Sequence, residues 1–438
     1  MMLDRRTLLV TGAAMAASPA LAAADKISGN ENFPRGFLWG AATAGHQVEG
    51  NNVASDQWFL ENLKPTIYAE PSRDASNSFA LWPQDMDLAK GIGLNAYRFS
   101  LEWARIEPEQ GLFSVAMLDH YKRMIQGAHA RGLKPIVTFN HFTAPRWFAA
   151  MGGWTNAAAI DLFVRFCDKA ARHLADGISH AITFNEPNIL MVLRSVVLPP
   201  QVLEAQKAML AEAARRSGTA KFTALNAANM EDIDAMQVNL IAAHKAAKAA
   251  IKAVRSDLPV GFSLSMFDDQ AVGKNSIRDA KRKELYGGWL DAARADDFMG
   301  VQNYERNMWT DKGKLPAPKG APVNYMGAEV YAPSLAGAVR YAHEATGVPI
   351  FVTEHGVGTT DDTIRANLIP AALAEMKRAM DSGVPVIGYC HWSLIDNFEW
   401  VFGYRVKFGL HSVDPATFVR TAKPSAAIYG AIASRNAL

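Results

Sequence analysis

Two glutamates in this sequence stand where a carboxylate is costly unless it does chemistry. Glu186 lies in Thr183-Phe184-Asn185-Glu186-Pro187, and Glu354 in Val352-Thr353-Glu354-His355-Gly356. Each follows a run of β-formers, His180-Ala181-Ile182-Thr183-Phe184 in one case and Pro349-Ile350-Phe351-Val352-Thr353 in the other. Two carboxyl groups at strand ends, gathered by a barrel, are equipped to cleave a glycosidic bond. One is protonated and assists the leaving group, while the other is ionised and attacks or stabilises the sugar cation. The alternative, that both glutamates are structural ion-pair partners, is the weaker one, since unpaired strand-end carboxylates are costly without a function.

The elements that must position them are legible in the hydrophobic pattern. Short apolar β-rich runs occur at Phe37–Ala42, Ala96–Leu101, Lys134–Phe139, His180–Phe184, Val260–Leu264, Phe298–Tyr304, Pro349–Thr353 and Val386–Trp392. Amphipathic helical stretches such as Asp161–Leu174 and Ile241–Val254 lie between them. Eight strand-then-helix units specify an α/β fold, a single (β/α)₈ TIM barrel, whose chemistry sits at the C-terminal strand ends. Those ends carry Arg98, Asn140-His141, Asn185-Glu186, Asn303-Tyr304, Glu354-His355 and Trp392, polar and aromatic groups where a core would take Val and Leu. Residues 188–239 are too long for a βα loop. The apolar run Ile189–Leu193 and the helical stretch Val202–Arg216 are expected to form a lid over the pocket.

Composition narrows the remaining choices. The chain has 438 residues, 49% hydrophobic and 20% charged, with a net charge of +2. No linker-like tract divides it, and no Lys/Arg run points to nucleic acid or an anionic membrane. Asp4-Arg5-Arg6-Thr7-Leu8-Leu9, a small-residue apolar stretch and Ala20-Leu21-Ala22 read as a twin-arginine signal over residues 1–22. This leaves a catalytic barrel of residues 23–438, exported to the periplasm or beyond. Gly12, Pro19 and the many alanines argue against a membrane anchor. Cys167 falls in a helical pattern and Cys390 in a strand, both expected as buried thiols, with nothing that requires a disulfide. No His/Cys/Asp cluster has metal-ligand spacing, and no strand-end Lys or late Gly-rich phosphate loop suits an aldolase or isomerase.

The blocks Phe33-Pro34-x-x-Phe37-x-Trp39-Gly40-x-Ala42-Thr43-x-x-x-Gln47-x-Glu49-Gly50 and Tyr97-Arg98-Phe99-Ser100-x-x-Trp103-x-Arg105-Ile106-x-Pro108 resemble those of glycoside hydrolase family 1. Gly153-Trp154, Asn185-Glu186-Pro187 and Trp392-Ser393-Leu394-x-Asp396-Asn397-Phe398-Glu399-Trp400 follow in that family's order. The resemblance spans Phe33 to about Ser425 and implies a retaining β-glycosidase of β-glucosidase type, exo-acting and without cofactor. Its partner would be a small-molecule β-glycoside, and the sequence carries no signal for an oligomeric state. By resemblance Glu186 is the acid/base and Glu354 the nucleophile, with Arg98 and Tyr304 supporting the nucleophile. The raised pKa that Glu186 needs is expected from the charge of Glu354. Gln47, His141 and Glu399 match the binders of distal sugar hydroxyls, and Asn185 the partner of the 2-hydroxyl. Trp392 matches the aromatic floor beneath the sugar, and Trp400 a further donor.

The chain also departs from the family's pattern. His141-Phe142-Thr143 replaces the usual His-Trp-Asp, Gln302 stands for an Asn, and His355 follows the nucleophile where an Asn is usual. The carboxylate at Glu399 argues for an unphosphorylated sugar, with Lys407 filling the basic position of a terminal Gly-x-x-x-x-Phe-Gly block. The apolar, glycine-poor segment after Glu186 points to an apolar aglycone, aromatic or terpenoid. A transglycosidase using the same intermediate and a non-catalytic sugar-binding relative are the competing readings.

Overall fold

The computed structural model describes residues 32–195 and 199–438. The expected signal segment, residues 1–22, lies outside the described residues, as does the stretch Val196–Leu198 of the expected lid. Eight parallel strands form a closed barrel: β1 (Leu38–Ala42), β2 (Ala96–Ser100), β3 (Lys134–Asn140), β4 (His180–Asn185), β5 (Val260–Ser265), β6 (Met299–Asn303), β7 (Ile350–His355) and β8 (Val386–Trp392). Strands pair in chain order, and β1 closes on β8 through Leu38 opposite Gly388 and Ala42 opposite Trp392. Their near-continuous burial follows from helices packing the outside while side chains fill the interior.

The strands run further than their apolar residues suggest. β7 continues through Glu354 and His355, which pair with Gln302 and Asn303 on β6. Glu354 therefore sits within its strand, whereas Glu186 is the first residue beyond β4. Backbone pairing holds these last positions, so their side chains are free to be polar, with Glu354 lining the cavity at the barrel mouth and His355 turned to Tyr389 behind it. The helix Ala159–Leu174 shows how the outer layer is held. Leu162, Phe163, Phe166, Cys167, Ala170, Ala171 and Leu174 form one buried stripe at helical spacing. Phe163 stacks on Phe184 of β4 at 4.5 Å, and Trp154 meets Phe148, Phe163 and Phe184 edge-on at 5.1–5.5 Å. Burying each such ring contributes about 1.5–3 kcal/mol. Cys167 and Cys390 are buried free thiols.

The segment after β4 is helical as expected, but its two helices have different tasks. The first, Ile189–Ser195, turns Ile189 and Leu193 toward the barrel mouth. The second, Pro200–Ser217, buries Met209, Leu210, Ala213 and Ala214 in a separate apolar cluster with Leu60, Leu63, Tyr68, Ala149, Phe222 and Phe398. It is a buttress; the covering role falls to the first helix. A tight turn closed by reciprocal hydrogen bonds between Ala224 and Ala227 (3.0 and 3.4 Å) follows, and then the long helix Ile233–Val254.

Candidate active site

Arg98, from β2, is fully buried and organises the barrel mouth from below. Its Nη1 donates to Glu354 Oε1 at 2.6 Å and to the Thr353 carbonyl at 3.2 Å. Its Nε donates to Thr138 Oγ1 at 3.2 Å, and its Nη2 to Asn185 Oδ1 at 2.6 Å. Gln302 Nε2 donates to the same Asn185 oxygen at 2.6 Å. A guanidinium can only donate, so the atom it meets on Asn185 must be the amide oxygen. The Asn185 NH₂ therefore faces the cavity. Tyr304, just past β6, donates its hydroxyl to Glu354 Oε2 at 2.7 Å, so each oxygen of Glu354 has its own donor. These contacts sit as expected around Glu354, with Gln302 an addition.

Glu186 is placed differently. It adopts a left-handed backbone with φ of 42°, a conformation rare outside glycine and costly enough to mark a functional position. It has no ion-pair partner among the described residues, and the Ser265 hydroxyl and more distant Arg98 only partly offset its burial. Burial is the largest cause and the charge of Glu354 the second, and together they raise Glu186 to about 8. This corrects the expectation that the Glu354 charge would be the main lever, because desolvation in a site this closed outweighs it. Burial also pushes Glu354 up, but Arg98, Tyr304 and Gln302 pull it back. The proton shared between the two carboxyls is thus held on Glu186.

Around the pair lies a cavity of about 270 Å³ lined by Gln47, His141, Asn185, Glu186, Tyr304, Glu354, Trp392, Glu399 and Trp400. The residues given a catalytic or sugar-binding role by the resemblance meet here, with Arg98 as the support beneath, whereas Asn140, Asn303 and His355 of the strand-end ring are not among the lining residues. Both donors of the Gln47 amide are used, on Asn397 Oδ1 (3.1 Å) and the Phe398 carbonyl (2.8 Å), which leaves Gln47 Oε1 unpartnered. Glu399 Oε1 and His141 Nδ1, like Gln47 Oε1, are buried without a hydrogen-bond partner among the described residues. Three such polar atoms on one cavity are available to hydrogen-bond a ligand or the water it displaces. Burial, with a smaller effect of Arg98, holds His141 well below the usual imidazole range, so the ring is neutral.

His141 stacks between Trp392 (5.7 Å, 22°) and Trp400 (6.4 Å, 16°), and Trp400 stacks in turn on His46 (5.7 Å, 6°). This column fixes the aromatic wall. Burial raises Glu399 well above the usual carboxylate range, offset in part by Trp392. Its charge is therefore a weaker bar to phosphate than expected. Among the described residues no Lys or Arg lines the cavity to receive a phosphate, and Lys407 is not among its lining residues. The three departures resolve individually. Phe142 lines the cavity and meets Trp400 edge-on at 5.3 Å, while Gln302 supports Asn185. His355 Nδ1 pairs with the Tyr389 hydroxyl at 2.9 Å, behind the site.

Sequence reasoning missed Ser265 and Asn226. Both come close only through the fold, and neither lies in a motif. Ile189, Leu193, Val401, Phe402 and Phe408 give the remaining wall an apolar surface. Among the described residues no group of three or more His, Cys, Asp or Glu is arranged to hold a metal ion. No helix among them is long and apolar enough to cross a membrane.

Similarity to known proteins agrees with this geometry. The chain is 30% identical to the beta-glucosidase of Agrobacterium sp. (strain ATCC 21400), over 92% of this chain and 95% of that protein. It is 28% identical to the human cytosolic beta-glucosidase, over 93% of this chain and 99% of that one. Among solved structures, the apo beta-glucosidase 1317 superposes with a TM-score of 0.88 at 40% identity, covering 91% of this chain and 98% of its own. The beta-glycosidase BGL167 gives 0.86 at 45% identity, covering 93% and 98%. The model of the glycosyl hydrolase family 1 matches residues 29–438. With two buried carboxyls of unequal support at the mouth of a (β/α)₈ barrel, the chain belongs to glycosyl hydrolase family 1.

Proposed function

We propose that this glycoside hydrolase is a retaining β-glycosidase in which Glu354 attacks the anomeric carbon and Glu186 serves as acid and then as base. The observation that carries the assignment is the unequal support of the two carboxyls. Glu354 is met by Arg98 and Tyr304, which favour its ionised form, while burial holds the proton on Glu186 up to about pH 8. Glu186 protonates the glycosidic oxygen as Glu354 forms the ester. Loss of the Glu354 charge then lowers the Glu186 pKa, and Glu186 takes a proton from the incoming water. The Asn185 NH₂ donates to the 2-hydroxyl. Gln47, His141 and Glu399 bind the distal hydroxyls and Trp392 underlies the sugar.

The lining supplied by Ile189, Leu193, Val401 and Phe402 supports an apolar aglycone over a second hexose. The test is release of nitrophenol from a panel of nitrophenyl β-glycosides, with Glu354→Gln and Glu186→Gln alongside. One or more sugars should turn over with retained anomeric configuration, and Glu354→Gln should abolish turnover. Inversion, or an active Glu354→Gln, would overturn the assignment. Cellobiose cleaved as efficiently as aryl or terpenoid glycosides would overturn the aglycone. The arginine pair Arg5-Arg6 supports export through the twin-arginine route. Replacing both with Lys should then keep the enzyme out of the periplasmic fraction, and unchanged export would count against it.

A further inference from the structure

Two residues with polar groups in the cavity wall, Asn226 and Tyr325, do not belong with the sugar binders, and only Asn226 has its polar group positioned by hydrogen bonds from behind. Asn226 lines the cavity from the turn between Ala224 and Ala227, on the same segment that supplies Ile189 and Leu193. Its orientation is set from behind. Gln57 Nε2 donates to Asn226 Oδ1 at 2.7 Å, and Gln57 Oε1 accepts from the Tyr68 hydroxyl. Gln57 is fully buried and Tyr68 nearly so, which gives the relay little freedom. With Oδ1 occupied, Asn226 Nδ2 has no hydrogen-bond partner among the described residues.

The turn itself is expensive to place. Ala224, Ala227 and Phe222 are packed by Met209, Leu210 and Ala213 of the buttress helix, and Gln206 Nε2 donates to the Ala228 carbonyl at 2.7 Å. An 18-residue helix, three buried aromatic or amide side chains and a two-residue turn thus converge on presenting one NH₂ group beside an apolar wall.

We infer that Asn226 is an aglycone-contact residue whose NH₂ donates to an oxygen on an otherwise apolar aglycone, with Gln57 and Tyr68 as its positioning residues. The substrate class is an oxygenated aryl or terpenoid β-glycoside, carrying a hydroxyl, ether or carbonyl on the leaving group. This inference rests on the β-glycosidase reading. A fixed donor suits it, because an apolar wall alone barely distinguishes such aglycones, whereas a donor left unpaired penalises those lacking the oxygen. A second hexose would demand more polar partners than the Asn226 amide and the Tyr325 hydroxyl supply in this wall.

The experiment uses matched aryl β-glycosides of whichever sugar the nitrophenyl panel identifies. Ortho-, meta- and para-methoxyphenyl glycosides are compared with their ethyl counterparts, which are similar in size but lack the oxygen. Wild type should prefer one of the methoxy compounds by about five- to tenfold in kcat/KM. Asn226→Asp, which keeps the acceptor for Gln57 but loses the donor, should erase that preference, read as the methoxy-to-ethyl ratio of kcat/KM so that any effect common to both series cancels. Gln57→Leu, which frees Asn226 to rotate, should reduce the preference through KM more than kcat. Asn226→Ala serves as a second variant, with melting temperature as the check on folding.

Absence of a preference for any methoxy compound in wild type would overturn the inference, as would equal losses on methoxy and ethyl compounds in Asn226→Asp. Those failures leave the glycosidase reading standing. Folded wild type that released no phenol from any compound would overturn both.

Discussion

Replacing Glu186 with Gln should abolish efficient catalysis and at the same time stabilise the fold, by an amount that grows with pH. Burial, aided by the Glu354 charge, raises this carboxyl from 4.5 to about 8. Below pH 4.5 both the folded and the unfolded chain hold the proton, and the group contributes no pH dependence. Between 4.5 and 8 the unfolded chain has released the proton that the folded chain keeps, so stability falls as pH rises, by about 1.4 kcal/mol per unit. Above 8 both states are ionised and the loss levels off. At pH 7 the penalty is ~3 kcal/mol, which the neutral amide of Gln escapes. Denaturant midpoints of wild type and Glu186→Gln, measured at pH 5, 6, 7 and 8, should therefore diverge steadily. The alkaline limb of kcat/KM in wild type should fall near 8, since that profile reports the free enzyme. A stability difference that stays flat from pH 5 to 8 would refute the reasoning. Titrating Glu186 by carboxyl NMR in Glu354→Gln separates the two causes. Burial is the larger, so the pKa should drop only part of the way, and a return to 4.5 would show that charge governs.

Tyr304→Phe removes one of the two direct donors to Glu354 and should lower kcat/KM by about 10- to 100-fold. It should also move the acidic limb of the pH profile upward, because the ionised nucleophile loses its stabilising hydroxyl. Leu210→Ala, in the buttress helix, should cost about 2–5 kcal/mol in denaturant unfolding. It should also blunt any aglycone preference while leaving kcat on simple phenyl glycosides nearly unchanged.

The barrel was legible in the sequence because each strand is a short apolar run that must be buried on both faces. Its polar ends were less so. Glu354 and His355 read as the polar end just after the strand Pro349–Thr353, yet backbone pairing with Gln302 and Asn303 keeps them in β7. The two glutamates and their neighbours were legible because strand-end position and motif coincide. What governs Glu186 was not, since burial depends on how the helix Ile189–Ser195 and the aromatic column close the mouth. Asn226 and Ser265 were invisible for a related reason. An isolated Asn in a turn or Ser in a strand has an ordinary local explanation, and only the tertiary fold brings each to the cavity. The long segment after β4 read as one cover, because two amphipathic helices look alike until the cluster of Leu60, Tyr68 and Phe398 claims the second.

The oxygen of Asn185, pinned by Arg98 and Gln302, has a consequence for anyone designing ligands. An amide with a free choice of orientation accepts partners of either polarity, but this one has been deprived of the choice. On the role proposed for Asn185, position 2 of a bound sugar would meet this amide's NH₂ as a hydrogen-bond donor. A fluorine there, which can only accept, keeps the complementarity of the hydroxyl, whereas an ammonium sets donor against donor beside a buried guanidinium. On that proposed role, the same pair of 2.6 Å contacts that steadies the nucleophile's surroundings would also favour 2-substituents that accept a hydrogen bond over those that only donate.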